Sequence, residues 1–125
     1  AGLPPRRTRA IDADVARLVG RYMQAVVSEG TGRAAAIEGV RVAGKTGTAE
    51  LRDTSREDCT PSPGAPCPPV VDDPSDTDAW FAAYAPAAEP RVAVGVLLVQ
   101  NGSGGETAAP VAKQVLQAAL GGTPG

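Results

Sequence analysis

The sequence predicts an α/β fold of the α+β type: an antiparallel three-stranded meander with one helix before it and one after it. Three observations lead there. An apolar helical stripe lies near the N-terminus, a second such stripe lies near the C-terminus, and three strand-like segments fall between them. The last two strand-like segments are joined by only five residues, Pro86 to Pro90, so they are expected to form an antiparallel hairpin.

The first helix is expected over about 12–29. Ile11, Val15, Leu18, Val19, Tyr22, Val26 and Val27 follow the three- and four-residue steps of one helical face. Asp12 suits the N-cap, and Gly30 and Gly32 can supply a left-handed stop. Strands are expected over about 40–51, 79–85 and 91–99. The last is apolar on both alternating sets, Val92, Val94, Val96 and Leu98 against Ala93, Gly95, Leu97 and Val99. A strand of that kind needs cover on both faces, and two short helices can cover only one. The second face is therefore expected to pack on chain outside this sequence. Trp80, Phe81 and Tyr84 read as sheet and core packing. The closing helix is expected over about 110–120, with Pro110 in its first turn and Gly121-Gly122 ending it.

Two connections stand out. The stretch from Arg52 to Asp78 holds six Pro, six Asp and both cysteines, with no periodicity, and reads as an insertion-type loop. Cys59 and Cys67 are too widely spaced for a redox C-x-x-C and lack further zinc ligands. They predict a disulfide closing the loop in an oxidising compartment, against the alternative of two unpaired thiols. The run Asn101-Gly102-Ser103-Gly104-Gly105 lacks the Lys of a phosphate-binding loop and reads as a flexible link.

Composition narrows the chemistry. The 125 residues suffice for one domain, yet only 24 of them are Leu, Ile, Val or Phe, and 23 are Ala. That apolar share is thin for a complete core. Without an Met at the start, the chain reads as an internal cut or a processed product. With no His there is no Ser-His-Asp triad, and no metal site or cofactor is expected. The formal charge is −2 and the one basic cluster, Arg6, Arg7 and Arg9, reads as a solvated tail, so nucleic acid is not expected as a partner. The longest apolar run, Val92 to Val99, falls far short of a membrane span.

The chemistry concentrates in Val42-Ala43-Gly44-Lys45-Thr46-Gly47-Thr48-Ala49-Glu50. On a strand, Thr46 and Thr48 point to one face, where two hydroxyls can hold one carboxylate. Gly47 lets another backbone approach. Lys45 adds positive charge, to attract an anionic substrate end or to lower a nucleophile's proton affinity. On an edge strand the backbone could pair with an extended peptide, and the Thr48 amide could face a developing oxyanion.

Together with Gly30-Thr31-Gly32-Arg33-Ala34 and Asp78-Ala79-Trp80-Phe81-Ala82-Ala83-Tyr84-Ala85-Pro86, this segment resembles the C-terminal part of penicillin-binding protein transpeptidase domains, most of all the monofunctional class B enzymes. Order and spacing match over about Ile11 to Leu120. On this resemblance the whole chain, 1–125, is the C-terminal portion of one transpeptidase domain within the larger penicillin-binding and serine β-lactamase-like fold. The resemblance implies a serine acyl-transferase that cleaves D-Ala-D-Ala stem peptides of peptidoglycan and is acylated by β-lactams. Lys45 would support proton transfer beside a second Ser motif, Thr46 and Thr48 would hold the substrate carboxylate, Gly47 would permit close approach, and the Thr48 N–H would contribute to the oxyanion hole. Strict alternation sets Lys45 opposite both threonines, so a twist or bulge is expected to bring it in. None of Ser28, Ser55, Ser62, Ser75 and Ser103 begins an S-x-x-K or S-x-N motif. The nucleophile is thus expected in an upstream half of the domain, and this chain alone is expected to be inactive. The resemblance also implies the extracytoplasmic face of a bacterial membrane, with the anchor elsewhere, and cell-wall synthesis or division proteins as partners. A serine β-lactamase or D,D-carboxypeptidase relative, or a non-catalytic scaffold of the same fold, are the alternatives.

Overall fold

The structure is a computed structural model that describes residues 8–51, 63–64 and 76–121. Helix α1 (Ala13–Ser28) leads through a short 3-10 turn (Arg33–Ala35) into strand β1 (Ala43–Glu50). Strands β2 (Thr77–Ala85) and β3 (Val92–Leu98) follow, then a π-helical turn (Gly104–Ala108) that runs directly into helix α2 (Ala109–Ala119). The sheet is an antiparallel meander in the order β1-β2-β3, with β1 at one edge. Cys59 and Cys67, and most of the loop that holds them, lie outside the described residues.

Cross-strand partners share a face of the sheet, so the register sorts the side chains. Thr46 pairs with Phe81 and Phe81 with Val96, while Gly47 pairs with Trp80 and Trp80 with Leu97. The Phe81 face is the core. Phe81 is 1% exposed and packs with Ala79, Ala83 and Val96 against Ala108, Ala109, Ala112 and Leu116. Alanines at the foot of α2 let the helix lie close to the sheet, which is why so much of this core is small. Gly121, with φ +83, supplies the left-handed stop after α2.

The opposite face is covered at one end, where Ala43 is buried and the half-buried Tyr84 reaches α1 with its hydroxyl, 2.8 Å from where a Cβ on Gly20 would lie, and it is bare around Trp80. Trp80 is 46% and Leu97 42% exposed, and Ala82, Ala93 and Gly95 around them are exposed too. Phe81 therefore fits the expectation of core packing, but Trp80 does not, because among the described residues no element covers it. The stripe of α1 behaves similarly. Val27 is buried, whereas Val15 and Val19 toward the N-terminal end are 47% and 45% exposed.

Asp12 is the N-cap of α1, as the sequence predicts, through its carbonyl, which accepts from the Ala16 N–H at 3.0 Å, and without a side-chain cap bond. Two other local readings need correction. No left-handed glycine ends α1, since neither Gly30 nor Gly32 has positive φ. Gly30 is needed for space instead: a Cβ there would lie 2.9 Å from the Val26 Cα as the chain folds back on the helix. Finally, Gly104 and Gly105 are no slack link. They open the π-helical turn, Gly104 is buried, and the Thr107 hydroxyl donates to the carbonyls of Asn101 (2.8 Å) and Ser103 (2.9 Å), closing the turn on itself.

Candidate active-site strand

Strand β1 pairs with β2 without interruption from Ala43↔Tyr84 to Glu50↔Thr77. No bulge rotates Lys45, so alternation holds: Thr46 and Thr48 emerge on the core-side face, Lys45 and Gly47 on the bare one. Lys45 is exposed, and its Nζ donates to the Thr46 carbonyl at 2.5 Å. Gly47 leaves room for its cross-strand neighbour, since a Cβ there would meet the Trp80 Cβ at 3.1 Å. The bulge or twist expected to bring Lys45 beside the threonines is thus not present in this ladder.

The two threonines open onto a cleft. Thr31, Arg33, Thr46, Thr48, Ser103 and Glu106 are among the residues lining about 430 Å³ at the end of the core face, a volume within the range of small-ligand sites. Its walls come from three stretches of chain: the turn after α1, β1 itself, and the π-helical turn. The Thr31 and Thr46 hydroxyl oxygens lie 2.9 Å apart. Four hydroxyl-bearing residues and one guanidinium, together with the Glu106 carboxylate, line it, and the donors among them suit an anionic group.

Of the residues singled out from sequence, the structure brings Thr46 and Thr48 to one cleft and leaves Lys45 and Gly47 across the sheet. Sequence reasoning assigned no role to Thr31 or Arg33, although both sit inside a segment that carried the family resemblance. It missed Ser103, Gly105 and Glu106 as lining residues, because a Gly-rich run carries no periodic signal of its own. Among the described residues no cluster of His, Cys, Asp and Glu could hold a metal ion, and no helix is long and apolar enough to cross a membrane.

The chain is similar to known proteins in sequence and in fold. The family model described as penicillin binding protein transpeptidase domain matches residues 3–117. The peptidoglycan D,D-transpeptidase PbpA of Mycolicibacterium smegmatis is 35% identical over 122 residues, covering 94% of this chain and 21% of the relative. The crystal structure of the D,D-transpeptidase domain of a peptidoglycan glycosyltransferase from Eggerthella lenta is 32% identical with a TM-score of 0.71, over 97% of this chain and 23% of that one. Penicillin-binding protein A from Mycobacterium tuberculosis, solved as a ceftriaxone acyl-enzyme complex, is 32% identical with a TM-score of 0.68, over 90% of this chain and 22% of that one. The chain thus spans about a fifth of the length of these relatives.

Proposed function

The chain belongs to the penicillin-binding protein transpeptidase family, and from that premise we propose that it is the C-terminal part of a peptidoglycan D,D-transpeptidase working through a serine acyl-enzyme. The observation that carries the reading is β1: an edge strand with Thr46 and Thr48 in one cleft and Lys45 on a bare face. In the proposed cycle the upstream serine Oγ attacks the carbonyl of the penultimate D-Ala, and the bond to the terminal D-Ala breaks. That D-Ala leaves with a proton, and an amine of a neighbouring stem peptide then displaces the serine. β-Lactams enter the same path and stop at the acyl-enzyme, a reading supported by the ceftriaxone adduct of the Mycobacterium tuberculosis relative.

Within this chain, Thr46 and Thr48 are proposed to hold the substrate or antibiotic carboxylate, and the Thr48 N–H to face the developing oxyanion. Gly47 keeps the strand free of a side chain beside the incoming backbone. Lys45 is proposed to serve proton transfer from the bare face of the sheet. The upstream half of the domain, bearing the nucleophile, is proposed to cover that face, where Trp80 and Leu97 now stand exposed. The setting is proposed to be the extracytoplasmic side of a bacterial membrane.

Labelling with a fluorescent penicillin tests this. The complete protein is expected to take a stable covalent label and the 125-residue chain none. A complete protein that takes no label overturns the enzyme reading in favour of a scaffold, and rapid loss of the label points to a β-lactamase instead.

A further inference from the structure

Three segments remote in sequence meet at one point of the cleft. The hydroxyl of Thr31, in the turn after α1, lies 2.9 Å from that of Thr46 in β1. From the π-helical turn, Gly105 closes over both: a Cβ on it would collide with the Thr31 carbonyl oxygen and stand 3.5 Å from the Thr46 Cγ2. The turn that carries Thr31 is itself anchored. The Gly32 N–H donates to the Val26 carbonyl at 2.9 Å, Ala35 N–H donates to the Gly32 carbonyl at 2.9 Å, and a Cβ on Gly32 would lie 3.1 Å from the Phe81 ring. Ala35 and Phe81 are buried, so Thr31 is presented from the core rather than from a free loop.

We infer that Thr31 is a positioning residue for the carboxylate-binding threonine: its hydroxyl sets the rotamer and the proton direction of Thr46. The inference rests on the transpeptidase reading of β1. A threonine hydroxyl has one proton and two lone pairs. When Thr31 donates to the Thr46 oxygen, the Thr46 proton is left to point at an anion in the cleft. Without that partner the Thr46 hydroxyl is free to rotate and to donate to the backbone, and its order must be established on each binding event.

The test uses the complete protein and a penicillin, with acylation measured across ligand concentrations to separate the half-saturating concentration from the limiting rate. Thr31→Val keeps the shape and removes the hydroxyl; Thr31→Ser restores it. We expect Thr31→Val to raise the half-saturating concentration about five- to tenfold, the scale of one lost neutral hydrogen bond. Its melting temperature should be unchanged, because Thr31 is exposed. Thr31→Ser should return to within about twofold of the parent. A Thr31→Val protein that acylates like the parent overturns the inference and leaves the transpeptidase reading standing. Equal losses in the Val and Ser variants, tracking a fall in melting temperature, overturn it as well by showing a merely structural role. A parent that is never acylated overturns both.

Discussion

Gly44 lies against the edge of the Phe81 ring: a Cβ built on it would come 2.6 Å from Cζ and 2.9 Å from Cε1. The residue immediately before Lys45 is therefore glycine because the main aromatic of the core occupies its side-chain space. Core and candidate site share one strand, and a change made for one is felt by the other.

Gly44→Ala is accordingly expected to destabilise the protein by about 1–3 kcal/mol through overpacking, since the ring is fixed by burial and cannot swing away. Denaturant unfolding of the complete protein measures this. A stability equal to the parent's would mean that Phe81 has room to move.

Lys45→Ala should act in the opposite manner. Among the described residues Lys45 is exposed and its bond is to the Thr46 carbonyl of its own strand, so its replacement removes no packing from the Phe81 core and unfolding should move less than for Gly44→Ala. Acylation by a penicillin should slow about a hundredfold or more, as for loss of a proton-transfer group. An unchanged acylation rate removes Lys45 from the mechanism.

Trp80 reports on what covers the bare face. A side chain left 46% exposed is expected to cost well under about 1 kcal/mol when replaced. In the complete protein, with upstream chain seated on it, Trp80→Ser is expected to cost about 3 kcal/mol, a core-sized loss. A small cost in thermal unfolding of the complete protein would leave this face open.

The cysteines are settled by thiol titration under denaturing, non-reducing conditions. Cys59 and Cys67 are expected to be joined, so no free thiol should appear; two titrating thiols would refute the bridge.

Much of this architecture is written in local pattern. The doubly alternating apolar run of β3, the prolines that close the β2–β3 connection and the glycine that stops α2 are each short-range signals, and the three-stranded meander follows from them. The shared direction of Thr46 and Thr48 was equally legible, because a period of two needs no tertiary knowledge. What escaped was non-local. That Gly104 is wedged over β1, where a Cβ would stand 2.5 Å from the Gly47 carbonyl oxygen, depends on two segments 57 residues apart in number. The Thr31–Thr46 contact is of the same kind. Trp80 was misjudged for a related reason: its alternation with Phe81 specifies a face, but whether that face is covered depends on what else is present.

The unbroken pairing of β1 has a metrical consequence. With no bulge to swing it round, Lys45 stands on one side of the sheet and the threonines on the other, and the border of β1, unpaired among the described residues, is where the two sides meet. A ligand that touches both must lie along that border, bridging the advance from Lys45 to Thr48, on the order of 10 Å of extended strand. On the proposed reading of β1, a ligand that engages both Lys45 and the threonines is thereby selected for length and extension.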